Sequence, residues 1–191
     1  MTPLFNPATH TYTDATGKPL LSVTTILKLA GLIDDRWFTE EACWRGSCVH
    51  AACEYDDKGT LDESSVDLGA WGYLVAWRKC KQALGIVGFT SIEKPMMCAT
   101  LQFAGTPDRR GRRGSRRFVI DIKTGSHEPW HELQLAGYAE FDYCPEAVDR
   151  IVVRLKEDGS YSMKMCKDWH TDRAGFHGAL AMAKWRQINN V

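Results

Sequence analysis

No apolar run in these 191 residues approaches the roughly 20 needed to span a bilayer, and no positively charged start leads into an apolar stretch. The expectation is a soluble, intracellular, cytoplasmic protein with no membrane partner. Net charge is also lacking. Twenty-four Lys and Arg balance 24 Asp and Glu, which excludes a diffuse cationic coat, so any nucleic-acid site must be local. The seven cysteines are odd in number, scattered and without a C-x-x-C pair, which suits free thiols in a reducing compartment. Only Cys43, Cys48 and Cys53 are dense, and their spacing drifts around a helix, against a metal cluster. Repeats, low-complexity tracts and linker-like shifts in composition are absent, so 1–191 reads as one domain.

What the chain does have is a core: 44% of its residues are apolar. A Gly17-Lys18-Pro19 turn signal between His10-Thr11-Tyr12 and Leu20-Leu21 predicts a hairpin. Ser22 is placed to cap a short helix from Val23 to Ala30. Helices are expected over Thr39 to Tyr55 and Val66 to Leu84, the latter from the spacing of Leu68, Trp71, Leu74 and Val75. Three strand-like runs follow: Phe89 to Met97, Leu101 to Thr106 and Arg117 to Lys123, the latter two read as hairpin partners. A helix over Trp130 to Asp142, strands over Ala147 to Lys156 and Tyr161 to Lys167, and a closing helix over Asp172 to Ile188 complete the order. That alternation predicts an α/β (α+β) fold, a mixed central sheet flanked by helices.

Strand alternation in Phe118-Val119-Ile120-Asp121-Ile122-Lys123 puts Phe118, Ile120 and Ile122 on one face and Asp121 with Lys123 on the other. Gly105-Thr106-Pro107-Asp108 ends the preceding strand and can bring Asp108 near Asp121. Two close carboxylates suit a hard divalent cation, and a lysine beside them can orient water or offset developing negative charge. Taken alone, Asp-x-Lys is also compatible with a surface ion pair.

Gly105-Thr106-Pro107-Asp108 followed by Asp121-Ile122-Lys123-Thr124-Gly125 resembles the signature of the PD-(D/E)XK nuclease superfamily. Arg45-Gly46-Ser47-Cys48-Val49-His50 resembles the Arg-Gly-x-x-x-His segment of its RecB-like exonuclease branch, and Gln134-Leu135-Ala136-Gly137-Tyr138 the branch's Gln-x-x-x-Tyr element. The resemblance implies a restriction-endonuclease-like core over about 86–191, with the hairpin and helical segment of about 1–85 packed on it. It implies Mg2+ or Mn2+, one or two ions, held by His50, Asp108, Asp121 and Ile122, with Lys123 serving the attacking water. An imidazole ligand would shift preference toward manganese; a half-buried helix histidine is the other reading of His50. Glu93 falls where many members carry an assisting acid, but beside Pro95 it also fits a solvent-facing strand end; Glu54 competes for that duty. Cys144 and Cys166 do not reproduce the clustered set of the iron-sulfur subgroup, so no iron-sulfur cluster is expected.

Between the two motifs lie six arginines in nine residues, Arg109 to Arg117. Arg110, Arg112 and Arg113 are candidate DNA contacts, with a solvated hairpin tip as the alternative. Arg45 suits a terminal phosphate, Ser22 and Thr24 offer a helix start, and Gln134 and Tyr138, four apart, share a helical face toward the lysine strand or a phosphate. Trp37, Trp44, Trp71 and Trp130 read as core rather than base-stacking residues. The function implied is a metal-dependent DNA exonuclease of phage-type recombination, replication or repair, acting in a phage-infected bacterial host on DNA with a free end, beside a recombinase or single-strand annealing protein. A flap endonuclease with the same site and a non-catalytic DNA-end binder are the alternatives.

Overall fold

The computed structural model describes residues 2–191, and of Trp37 the backbone alone; the expectation for the Trp37 side chain lies outside the described residues. Three short strands open the chain, β1 (Leu4–Asn6), β2 (Thr11–Thr13) and β3 (Pro19–Ser22), running directly into helix α1 (Val23–Leu29). Helices α2 (Glu40–Lys58) and α3 (Leu68–Leu84) follow, then β4 (Ser91–Ile92), β5 (Met96–Cys98), β6 (Phe103–Gly105), β7 (Arg109–Arg113) and β8 (Arg116–Lys123). Helix α4 (Trp130–Ala139), strands β9 (Val148–Leu155) and β10 (Tyr161–Cys166), and helix α5 (Trp169–Asn189) close the fold.

The α/β class is as expected, but the strands form two five-stranded mixed sheets rather than one, in the orders β1-β2-β3-β6-β5 and β10-β9-β8-β7-β4. The region expected as one strand from Phe89 to Met97 is split at Glu93, whose φ of 45° is in the left-handed region. β4 therefore joins one sheet and β5 the other. The expected hairpin of Leu101–Thr106 with Arg117–Lys123 is likewise corrected. The partner of β8 is the arginine strand β7, with Arg109 opposite Ile120, while β6 pairs with β3 and β5. Arginine carries little strand signal, which is why β7 reads as a turn; its charge is absorbed by acidic partners, described below.

β8 is central and pairs in parallel with β9 across the α4 crossover. Its alternation serves two cores. Phe118, Ile120 and Ile122 face Val49, Leu74 and Trp77 of α2 and α3, while Val119 faces Leu135, Phe176 and Leu180 of α4 and α5. Ile120 and Ile122 are fully buried, each worth about 1.5–3 kcal/mol, so the strand cannot slip register without exposing them. On α3 the buried stripe is Ala70, Tyr73, Leu74, Trp77 and Cys80; Leu68 and Trp71, expected on it, are exposed, and so is Trp44. Gly137 sits against the Phe176 ring, where a Cβ would come within 2.6 Å, so α4 and α5 pack closer than any larger residue permits.

Candidate metal centre

The mid-section of α2, the kink after β4 and the start of β7 converge on one point. A ring nitrogen of His50, a carboxylate oxygen of Glu93 and one of Asp108 all lie within 4.8 Å of one another. His50 Nε2 is 3.1 Å from the Ile122 carbonyl, which can only accept, so Nε2 carries the proton. Nδ1 therefore faces the acids, 3.4 Å from Glu93 Oε1 and 3.8 Å from Asp108 Oδ2. Burial works against the imidazolium, but Asp108 and Glu93 outweigh it and raise the His50 pKa to about 9. Asp108 is itself pushed above the ordinary carboxylate value by burial and by Glu93, with His50 and Lys123 opposing. Glu54, the competing acid, is taken by Lys58 one turn along the helix at 2.5 Å.

On the α4 side of β8, the Asp121 carboxylate meets the Lys123 ammonium at 2.9 Å, and Lys123 also donates to Gln134 Oε1 at 3.0 Å. Gln134 Nε2 in turn donates to the Tyr138 hydroxyl at 3.2 Å. Gln134 and Tyr138 are both buried, so of their two expected roles the structure shows contact with the lysine strand. Tyr138 lies over Gly105, where an added Cβ would come within 2.9 Å of its ring. Burial, opposed by Lys123, raises the Asp121 pKa to about 6. Lys123 Nζ also donates to Asp121 Oδ1 at 3.1 Å, so both carboxylate oxygens face the ammonium.

His50, Ile122 and Lys123 open onto a cleft of about 650 Å³ that Arg45, Leu32, Phe38 and Trp130 also line. The Lys123 ammonium lies 5.2 Å from the Trp130 ring centroid. Arg45 Nε is buried and has no hydrogen-bond partner. His131, also on the cleft, is kept neutral by burial, aided by Lys123, with its pKa down at about 3.

Ser22 and Thr24 do not line this cleft, and the Ser22 hydroxyl is occupied in capping α1 through Thr25 N at 3.0 Å. The arginine run is an ion-paired hairpin rather than a free basic patch. Arg110 and Arg117 share Asp142, and Arg113 and Arg116 share Asp149. Arg109 is buried against Asp57 and Glu93. Among the described residues, Arg112 is the member of the run without an acidic partner, and it is exposed.

Of the residues expected at the site, His50, Glu93, Asp108, Asp121, Lys123, Gln134 and Tyr138 are brought together around the end of β8, with the Ile122 main chain between them. Sequence reasoning missed Asp57 and Arg109. Asp57 follows His50 by seven positions, two helical turns along α2, but a buried acid there could be recognised only with its arginine in place.

No family model and no curated protein matches the chain. Among solved structures it is similar to one titled "Crystal structure of SSO0001", at 16% identity over 84% of each chain with a TM-score of 0.33. A likeness that loose carries no argument about the site.

Proposed function

We propose that this chain is a magnesium- or manganese-dependent DNA exonuclease. The observation that carries the reading is the convergence of His50, Glu93 and Asp108 donor atoms within 4.8 Å, beside an Asp121–Lys123 pair, with His50 and Lys123 lining an open cleft. The donor set fits the ion. Carboxylate oxygens suit a hard divalent cation, one imidazole favours manganese over magnesium, and the raised pKa values of Asp108 and Asp121 mark negative charge held out of water without enough positive charge to offset it. His50 is oriented for such a role by the Ile122 carbonyl, as ligand histidines commonly are.

A divalent cation bound there would polarise a phosphodiester and lower the pKa of a water. The chain's own residues supply the rest. Asp121 and Gln134 aim the Lys123 ammonium, which would orient the nucleophile and offset charge developing on the phosphate. Arg45, which lines the cleft, would meet a phosphate there through its guanidinium. No helix among the described residues is long and apolar enough to cross a membrane.

The test is degradation of DNA by purified protein with magnesium or manganese, with and without chelator. Activity that vanishes in chelator and returns with excess metal is expected. Cleavage that persists in chelator would overturn the proposal.

A further inference from the structure

Arg109 is the largest buried charge next to the site, with a fully inaccessible side chain. Burying an ion costs several kcal/mol unless it is paired and hydrogen-bonded; two of the three nitrogens of this guanidinium have distinct tasks, while Nη2 is buried without a hydrogen-bond partner. Nε donates to Asp57 Oδ2 at 2.5 Å. Nη1 donates both to Glu93 Oε1 at 2.9 Å and to the Asp108 carbonyl at 2.8 Å. The same carbonyl accepts from the Glu93 amide at 2.9 Å. Asp57 is anchored in turn by Trp77 Nε1 at 3.0 Å and Lys81 Nζ at 2.5 Å. One donor atom thus joins the side chain of one acid in the metal group to the main chain of another, and the whole is fastened to the α2–α3 core.

Glu93 needs that fastening. Its left-handed φ of 45° is unfavourable for a residue with a side chain and persists only where the surroundings over-determine it. Without the kink, Glu93 would continue β4 and alternate with Ile92 along one strand instead of turning its carboxylate to His50.

We propose that Arg109 is a positioning residue: through Glu93 Oε1 and the Asp108 carbonyl it fixes the spacing of the two acids and thereby sets the affinity of the site for divalent cations. The inference rests on the metal reading of the His50–Glu93–Asp108 group and is independent of whether DNA is the substrate. A lysine at 109 keeps the charge but cannot span Asp57 and Glu93 as a planar fork does, so Arg109→Lys separates geometry from charge.

The experiment is manganese binding, followed by electron paramagnetic resonance of the free ion, to wild type, Arg109→Lys, Glu93→Gln and the double variant. Melting curves establish that each is folded at the temperature used. Loss of a group that orients a ligand weakens binding by about 10–100-fold, and that range is expected for Arg109→Lys. Because one of the two links from Arg109 to the group runs through the Glu93 carboxylate, the same change in the Glu93→Gln background should weaken binding less. Equal loss in both backgrounds, or a folded Arg109→Lys protein of wild-type affinity, overturns the inference. Should Arg109→Lys fail to fold, the Nε–H resonance of Arg109 in the wild-type protein decides. It should shift on titration with magnesium and stay put in Glu93→Gln; a resonance unmoved in wild type overturns the inference. If wild type binds no manganese at all, the metal reading itself falls, and this inference with it.

Discussion

The amide of Ile122 donates to Oδ2 of Asp108 at 2.6 Å. The strand that carries Asp121 and Lys123 therefore aims Asp108 with its own main chain, and the Ile122 carbonyl of the same residue receives His50. Ile122 is expected among the metal ligands; in the structure its main chain meets His50 and Asp108, while its side chain is core.

Asp108→Asn should abolish measurable manganese binding and lower cleavage by orders of magnitude, while the metal-free protein melts at or above the wild-type temperature. A buried carboxylate facing another acid costs folding energy that a neutral amide does not. Calorimetric titration and circular-dichroism melting check the two halves. An Asp108→Asn protein that binds manganese normally would contradict the assignment.

His50 gives a prediction in pH. Its folded pKa, about 9, exceeds its unfolded value of 6.5, so its stabilising ion pairs are fully present below pH 6.5 and lost as pH rises through 9. The metal-free protein should lose melting temperature across that window, and His50→Gln should not. Metal must displace the same proton, so manganese affinity should rise up to about tenfold per pH unit until pH 9. A pH-independent affinity between 7 and 9 would remove the imidazole from the ligand set.

Asp121 runs the other way from an ordinary salt-bridged acid. Its folded pKa of about 6 lies above the unfolded 3.8, so its contribution to stability is lost as pH rises from 3.8 through 6. Lys123→Ala removes the nearest cation and should lower turnover by orders of magnitude, with the metal-free fold weakened most above pH 6. Gln134→Leu, which leaves the Asp121–Lys123 pair intact, should cost turnover less. Single-turnover kinetics and melting against pH measure both, and a folded Lys123→Ala protein of near wild-type rate would contradict the role proposed for the ammonium.

Among the arginines, Arg112→Ser should reduce the log–log salt slope of DNA binding by about one unit if it meets a phosphate. Arg110→Ser should instead lower the melting temperature, because it leaves Asp142, 9% exposed, with Arg117 alone. A change of salt slope on Arg110→Ser with no change in stability would show that the hairpin's ion pairs open to DNA.

Local pattern made the face assignment of β8 legible, because period-two alternation is enforced by two cores at once. The Gln134–Tyr138 spacing was legible for the same kind of reason, one helical turn on α4. The division into two sheets was not. It depends on Glu93 adopting a conformation that no propensity favours, held by Arg109 and Asp108 from elsewhere in the chain. Nor was β7 legible, since a strand of arginines is stable only with Asp57, Asp142 and Asp149 delivered by three other segments. Sequence charge alone made that run look like a free cationic patch.

The most direct measurement of the central claim compares a linear DNA with the same sequence as a covalently closed circle, single- and double-stranded, in magnesium, in manganese and in chelator. An exonuclease must capture a strand end, which Arg45 and the cleft beside His50 and Lys123 would hold while the phosphodiester is attacked. The account predicts that linear DNA is consumed only with metal and that closed circles persist. Circles cut as fast as linear molecules would make the protein an endonuclease, and binding of DNA without cleavage under every metal would contradict the account altogether.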